Sequence, residues 1–219
     1  MLDAIEIETA PHPTVSIIWL HGLGADGNDF VPIVPDLNLG HSIPIRYIFP
    51  HAPMRPISIN GGAIMRAWYD MTDLSSHSEN ETHIRESQSE IEQFIERELS
   101  RGVTRVLLAG FSQGGAIALQ TGLRYPKRLV GILALSTYLP LTNTLTAGAA
   151  PENSSIKIFM AHGVFDDVIP LALAEASRLK LEGAGYDIDW QTYQMAHQVC
   201  APEIADVRAW LLQTLMSRN

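Results

Sequence analysis

Residues 103 to 116, V-T-R-V-L-L-A-G-F-S-Q-G-G-A, decide how this chain is read. The apolar run V-T-R-V-L-L-A (103 to 109) predicts a strand. The small-residue pattern from Gly114 to Arg124, halted by Pro126, predicts a helix. Between them the chain must turn sharply through Gly110, Ser112, Gly114 and Gly115. In the plainer reading the glycines allow a tight turn and Ser112 is a small polar filler. In the other, Ser112 is a nucleophile on a strained elbow at the tip of a sheet. The motif is short and the chain holds 16 glycines in 219 residues, so the choice depends on context. A nucleophilic serine needs a base, an acid to orient that base, and an oxyanion hole.

The rest of the chain alternates in the same way. Near-continuous apolar runs at V-S-I-I-W-L (15 to 20), I-R-Y-I-F (45 to 49), L-V-G-I-L-A-L (129 to 135) and I-K-I-F-M-A (156 to 161) predict strands covered on both faces. Y-D-I-D-W-Q-T-Y (186 to 193) alternates more, as expected nearer a sheet edge. Helical patterns fall between them. His83 to Ser100 carries Ile84, Ile91, Ile95 and Leu99 on one side and is closed by Gly102. Leu171 to Leu181 starts after Pro170 and ends before Gly183, and Pro202 to Met216 is last. This alternation predicts an α/β fold in a single domain, a mostly parallel central sheet flanked by helices, with ligands at the carboxyl ends of the strands. Residues 51 to 82 show little periodicity and are expected to form a lid or binding loop. It holds Trp68 and Tyr69, for which ordinary packing and a substrate wall are evenly weighted.

Partners for Ser112 should follow it in the order carboxylate, then histidine, each just past a later strand. H-G-V-F-D-D-V-I-P (162 to 170) offers Asp166 and Asp167, and Q-M-A-H-Q-V-C-A-P (194 to 202) offers His197. Singly, a loop aspartate more often caps a turn, and a lone histidine is more often a surface or satisfied core residue. Three residue types at strand ends in one required order favour the catalytic reading. The pattern does not separate Asp166 from Asp167. The strand at 15 to 20 runs into H-G-L-G-A-D-G (21 to 27), a glycine loop able to aim the Leu23 N–H at a developing oxyanion, with the Gln113 N–H as second donor. It is not taken as a dinucleotide fingerprint, its last glycine being counted one residue early for G-x-G-x-x-G.

Fifteen basic against 24 acidic residues give a formal net charge of −9, which argues against a nucleic-acid partner and a polybasic membrane anchor. The apolar runs are far shorter than the roughly 20 residues that span a bilayer. The acidic start M-L-D-A-I-E-I-E-T-A is unlike a signal peptide, and the single Cys200 allows no intrachain disulfide. A cytoplasmic protein without integral membrane association is expected. Metal chemistry finds no support, since H-E-x-x-H and a cysteine pair are both missing. His77, Glu79, Glu81 and His83 read as a solvated loop leading into a helix, and Cys200 as a small apolar residue at a helix start.

With those residues in view, the sequence resembles the acyl-protein thioesterase and carboxylesterase II family of α/β-hydrolases over nearly its whole length. The likeness rests on W-L-H-G-L-G (19 to 24), F-P-H-A-P with P-I-S-I-N-G-G and M-R-A-W-Y-D (49 to 70), G-F-S-Q-G-G (110 to 115), H-G-V-F-D-D-V-I-P and M-A-H-Q-V-C (195 to 200). It implies an α/β-hydrolase fold, with Ser112 as nucleophile, His197 as base and Asp166 as the orienting acid. Ile169 stands where the family's H-G-x-x-D-x-x-V-P pattern usually has valine, and Gln198 where many relatives have Ser or Glu. It also implies the Leu23 and Gln113 amides as oxyanion donors and a lid around Trp68 bordering an acyl groove. The implied activity is hydrolysis of carboxylic esters or thioesters of short to medium acyl chains, extending to long ones, through an acyl-enzyme and without cofactor or metal. The implied partners are a small-molecule ester or thioester, an acylated protein or lysophospholipid, and a second copy of the chain. The alternatives are a lysophospholipase or acyl-protein thioesterase as the main role, and a hydrolase-fold binding protein without catalysis.

Overall fold

All six expected strands form and pair side by side. The computed structural model describes residues 1–39, 43–73 and 79–216. In chain order the strands are β1 (Ala4–Glu8), β2 (Val15–Leu20), β3 (Ile45–Pro50), β4 (Met54–Ile57), β5 (Ala63–Arg66), β6 (Arg105–Phe111), β7 (Gly131–Leu135), β8 (Lys157–Gly163) and β9 (Ile188–Tyr193). Seven of them make one sheet in the order β1-β3-β2-β6-β7-β8-β9. Only β1 runs antiparallel, against β3, and the other pairings are parallel. The alternating strand β9 lies at one edge, as its pattern predicts.

The helices are α1 (Ile33–Leu37), α2 (Glu81–Ser100), α3 (Gln113–Arg124), α4 (Leu145–Gly148), α5 (Leu171–Gly183) and α6 (Ala201–Met216). Strand pleating sends alternate residues to opposite faces. Ile18, Leu20, Val106 and Leu108 pack with Ile91, Phe94 and Ile95 of α2, Ile117 of α3 and Leu181 of α5. Ile17, Trp19, Leu107 and Ala109 pack on the other face with Leu37 of α1 and Val207, Trp210 and Leu211 of α6. Burial on both faces explains why the central strands read as unbroken apolar runs. A buried carboxylate ties α2 to the sheet: Glu98 accepts the Ser16 hydroxyl at 2.7 Å and pairs with Arg46 at 2.6 Å.

Several expectations need correction. The acidic N-terminal stretch is ordered: A-I-E-I-E alternates with period two and forms β1. Residues 51 to 82 are not a structureless loop. They carry an antiparallel hairpin, β4 with β5, whose turn ends in Gly61 and Gly62 at φ +65° and +81°. N-G-G was the hairpin signal, because only glycine takes that backbone freely. Asn80 caps α2 by accepting the His83 N–H at 3.0 Å, so the helix starts earlier than the apolar pattern does. His77 lies outside the described residues. Finally, Gly22, Gly24 and Gly27 do fit G-x-G-x-x-G. The spacing is present, but no helix opens on it. Turns and irregular backbone follow β2 until α1 begins at Ile33, so the helix N-terminus that would face a pyrophosphate is missing there.

From β2 the chain steps outward to β3 and then returns across β2 to β6. The crevice beyond the carboxyl ends of β2 and β6 is therefore the topological switch point, where ligands of open α/β sheets bind.

Candidate active site

Four loops leave the carboxyl ends of β2, β6, β8 and β9 and converge on that crevice. At the end of β6, Ser112 adopts φ +55°, ψ −124°, a conformation that costs a non-glycine residue about 1–3 kcal/mol. Main-chain geometry holds it there. The Ser112 N–H donates to the Leu135 carbonyl at 2.9 Å, and its own carbonyl accepts the Thr137 hydroxyl at 2.7 Å. A Cβ at Gly110 would sit 2.4 Å from the Gly114 backbone, and one at Gly114 would sit 2.3 Å from the Leu20 carbonyl oxygen. Strand and helix meet too closely there for any side chain.

His197, in the loop after β9, places Nε2 2.9 Å from Ser112 Oγ and Nδ1 2.8 Å from Asp166 Oδ2. Asp166, after β8, turns its other oxygen to the N–H groups of Val168 and Ile169, at 3.0 and 2.8 Å. Its side chain is fully buried, while Asp167 next to it is exposed. Phe111 packs on the imidazole, ring centroids 4.8 Å apart. The arrangement is a continuous chain of hydrogen bonds from hydroxyl through imidazole to carboxylate.

The Leu23 and Gln113 N–H groups flank Ser112 in the same cavity and donate to no acceptor among the described residues. Two histidines that the motif reading passed over organise these parts. Ala52 N–H donates to His21 Nε2 at 3.0 Å, so the proton sits on Nδ1, which donates to the Gly22 carbonyl at 2.7 Å. Pinning that carbonyl fixes the Gly22–Leu23 peptide plane, and with it the direction of the Leu23 N–H. Burial depresses the His21 pKa to about 4, which keeps the ring neutral. His162 Nε2–H donates to the Ile169 carbonyl at 2.8 Å and lies 3.3 Å from Asp166 Oδ2. Burial lowers its pKa too. Each begins a His-Gly pair at the end of an apolar strand, a repeated signal in the sequence.

The cavity holds about 320 Å³ and is mainly apolar, walled by Ile59, Met71, Phe111, Tyr138, Val168 and Ile169. Tyr69 lines it and shares a 2.8 Å hydroxyl hydrogen bond with Tyr138. Trp68 does not line it, and the expectation of a substrate-wall role for Trp68 is corrected. Trp68 is buried behind the wall, its indole N–H donating to the His21 carbonyl at 2.9 Å. The Gln113 side chain clamps this segment, accepting from Trp68 N–H at 2.7 Å and donating to the Tyr69 carbonyl at 2.7 Å. A separate polar cleft of about 370 Å³ lies at the opposite ends of β7, β8 and β9, by Leu129, Lys157 and Trp210.

The loop bearing His197 is anchored by Glu203 in the first turn of α6. One Glu203 oxygen accepts the Cys200 N–H at 3.3 Å, and the other has no partner among the described residues. Burial raises this carboxyl to about 7. A folded-state pKa above the unfolded one contributes stability that is full below about 4.3 and is lost as pH rises through about 7. Glu203→Gln keeps the capping bond without the charge. It is expected to stabilise the fold by about 1–3 kcal/mol at pH 8 and by little at pH 4. Urea midpoints at the two pH values check this; an equal shift at both would refute it.

The phospholipase/carboxylesterase family model matches residues 3–215. Acyl-protein thioesterase 1 of Gibberella zeae is 34% identical, over 96% of this chain and 94% of that one. The crystal structure of Zea mays acyl-protein thioesterase 2 superposes with a TM-score of 0.87 at 26% identity, covering 98% of this chain and 100% of that chain. Arabidopsis thaliana SOBER1 gives 0.87 at 29% identity, covering 92% and 99%. The chain belongs to the phospholipase/carboxylesterase family and has the α/β-hydrolase fold.

Proposed function

We propose that the chain is a serine hydrolase of carboxylic esters and thioesters, working through an acyl-enzyme on Ser112. The observation that carries the reading is the unbroken hydrogen-bonded chain from Ser112 Oγ through His197 to the buried Asp166, beside two amides without an acceptor among the described residues. His197 Nε2 takes the hydroxyl proton as Oγ attacks the acyl carbonyl, and the Leu23 and Gln113 N–H groups hold the oxyanion. Asp166 keeps the His197 Nδ1 proton in place and stabilises the imidazolium. The same imidazolium protonates the departing alcohol or thiol. Water, activated by His197, then releases the acid.

The apolar cavity suits short to medium acyl chains, with longer ones leaving past Ile59 and Val168, both exposed at its mouth. Exposed Met54 and Ile64 on the hairpin and Phe165 beside Asp166 add the apolar surface that an acylated protein, a lysophospholipid or a second copy of the chain would meet. The relatives' names favour the first of these. The chain acts as one domain, with the hairpin region as its lid. No helix among the described residues is long and apolar enough to cross a membrane, and we assign the activity to the cytoplasm.

Two measurements test the reading together. A fluorophosphonate probe should label the protein, and a chain-length series of esters and thioesters should show turnover highest for short to medium chains. Neither labelling nor turnover would favour the binding-protein alternative.

A further inference from the structure

A second cavity, of about 270 Å³, adjoins the first and is also lined by the His197 ring. It shares only Phe111, His197 and Asp29 with the first, and Ser112 and both oxyanion amides are absent from its lining. In acylation His197 hands its proton to the departing oxygen or sulfur, so the leaving group must lie on the imidazole side of the tetrahedral centre. The acyl group keeps the cavity that holds the amides.

We infer that this second cavity is the leaving-group subsite, and that it takes an alcohol or thiol with an apolar stem and a neutral or cationic end. The inference rests on the serine-hydrolase reading and deepens it. The floor is apolar, with Phe30, Ile33 and Ile204 offering contact to a carbon chain. The ionisable groups on its walls besides His197 are Asp29 and Asp36, both exposed and without a salt-bridge partner among the described residues. Arg208, on the neighbouring turn of α6, keeps its charge while donating to the Leu37 carbonyl at 2.9 Å, but it is not part of the cavity lining. A leaving group ending in an anion would therefore meet two carboxylates and no Lys or Arg on the lining, while a cation would be drawn to the carboxylates. Gln198, exposed in the same wall, leaves that balance unchanged where a Glu would add a third charge. Partial desolvation and the nearby Asp26 hold the Asp29 carboxyl above its ordinary value, consistent with a wall that lacks a cation.

The test compares butyrate esters of choline, of 3,3-dimethylbutanol, its uncharged isostere, and of 3-sulfopropanol. At low ionic strength the order of kcat/KM should be choline ester, neutral ester, sulfonate, spanning about tenfold and shrinking with salt. Asp36→Asn, which touches only this cavity, should narrow the choline-to-sulfonate ratio, and the double change with Asp29→Asn should bring it to within about twofold. Ile204→Trp, which fills the cavity, should slow the bulky esters relative to methyl butyrate while the acyl-chain profile of methyl esters stays as it was. A flat charge profile, a ratio unmoved in the double variant, or an acyl-chain profile that shifts in Ile204→Trp would each overturn the assignment. Methyl butyrate on the unsubstituted protein separates the two levels: no turnover there overturns the serine-hydrolase reading itself.

Discussion

Ser112→Ala is expected to lower kcat for a short-chain ester by about 10⁴–10⁶-fold while the protein still folds. That loss corresponds to roughly 5–8 kcal/mol of transition-state stabilisation. Removing the hydroxyl removes the covalent route, and no other oxygen nucleophile stands within hydrogen-bond reach of His197 Nε2 among the described residues. A residual rate above that in water should remain, because the Leu23 and Gln113 amides and the apolar cavity are untouched. Folding should survive because the Ser112 N–H bond to Leu135 and the Thr137 hydroxyl bond to the Ser112 carbonyl hold the elbow, and alanine meets the same strained φ as serine. Initial rates with p-nitrophenyl butyrate and a urea titration measure the two halves of the prediction. Turnover within tenfold of the parent protein, in a folded variant, would remove Ser112 from the mechanism.

Asp166→Asn is expected to cost about 10³–10⁴-fold in kcat, whereas Asp167→Asn should change it less than about twofold. The contrast follows from hydrogen-bond polarity. Asp166 Oδ1 accepts two backbone N–H groups, so an asparagine would place its carbonyl oxygen there and its NH₂ toward His197 Nδ1. That nitrogen would then have to accept, moving the ring proton to Nε2, where it blocks removal of the Ser112 proton. The imidazolium would also lose its counter-charge in a buried site. Asp167 is exposed and takes part in none of these bonds. Equal losses from the two substitutions would mean that the orienting acid is misassigned.

Much of this architecture was legible before any coordinates. Strands buried on both faces must be continuously apolar, and helices on their flanks must repeat near every 3.6 residues, so β2, β3, β6, β7 and β8 announce themselves. Boundaries were less visible. β6 runs on through Gly110 and Phe111 because a glycine that looks like a strand end is required by the close approach of α3. β8 likewise includes His162 and Gly163, which read as the start of a loop. β1 and the β4–β5 hairpin are hard to read in the sequence because each strand is short and has at most one buried residue. The roles of His21 and His162 could not be read locally. Each depends on partners at distinct places in the fold, Ala52 for one and both Ile169 and Asp166 for the other.

By itself the sequence determined the fold class, the sharp turn at Ser112 and the order in which a serine, a carboxylate and a histidine follow successive strands, because periodicity and strand-end loops are written in neighbouring residues. The tertiary structure alone decided which side chains meet. It buried Asp166 and left Asp167 in water, moved Trp68 behind the wall that Tyr69 forms, and set His197 between two cavities. Those outcomes turn on burial and on hydrogen bonds between residues as far apart as Ser112 and His197, which no local pattern encodes.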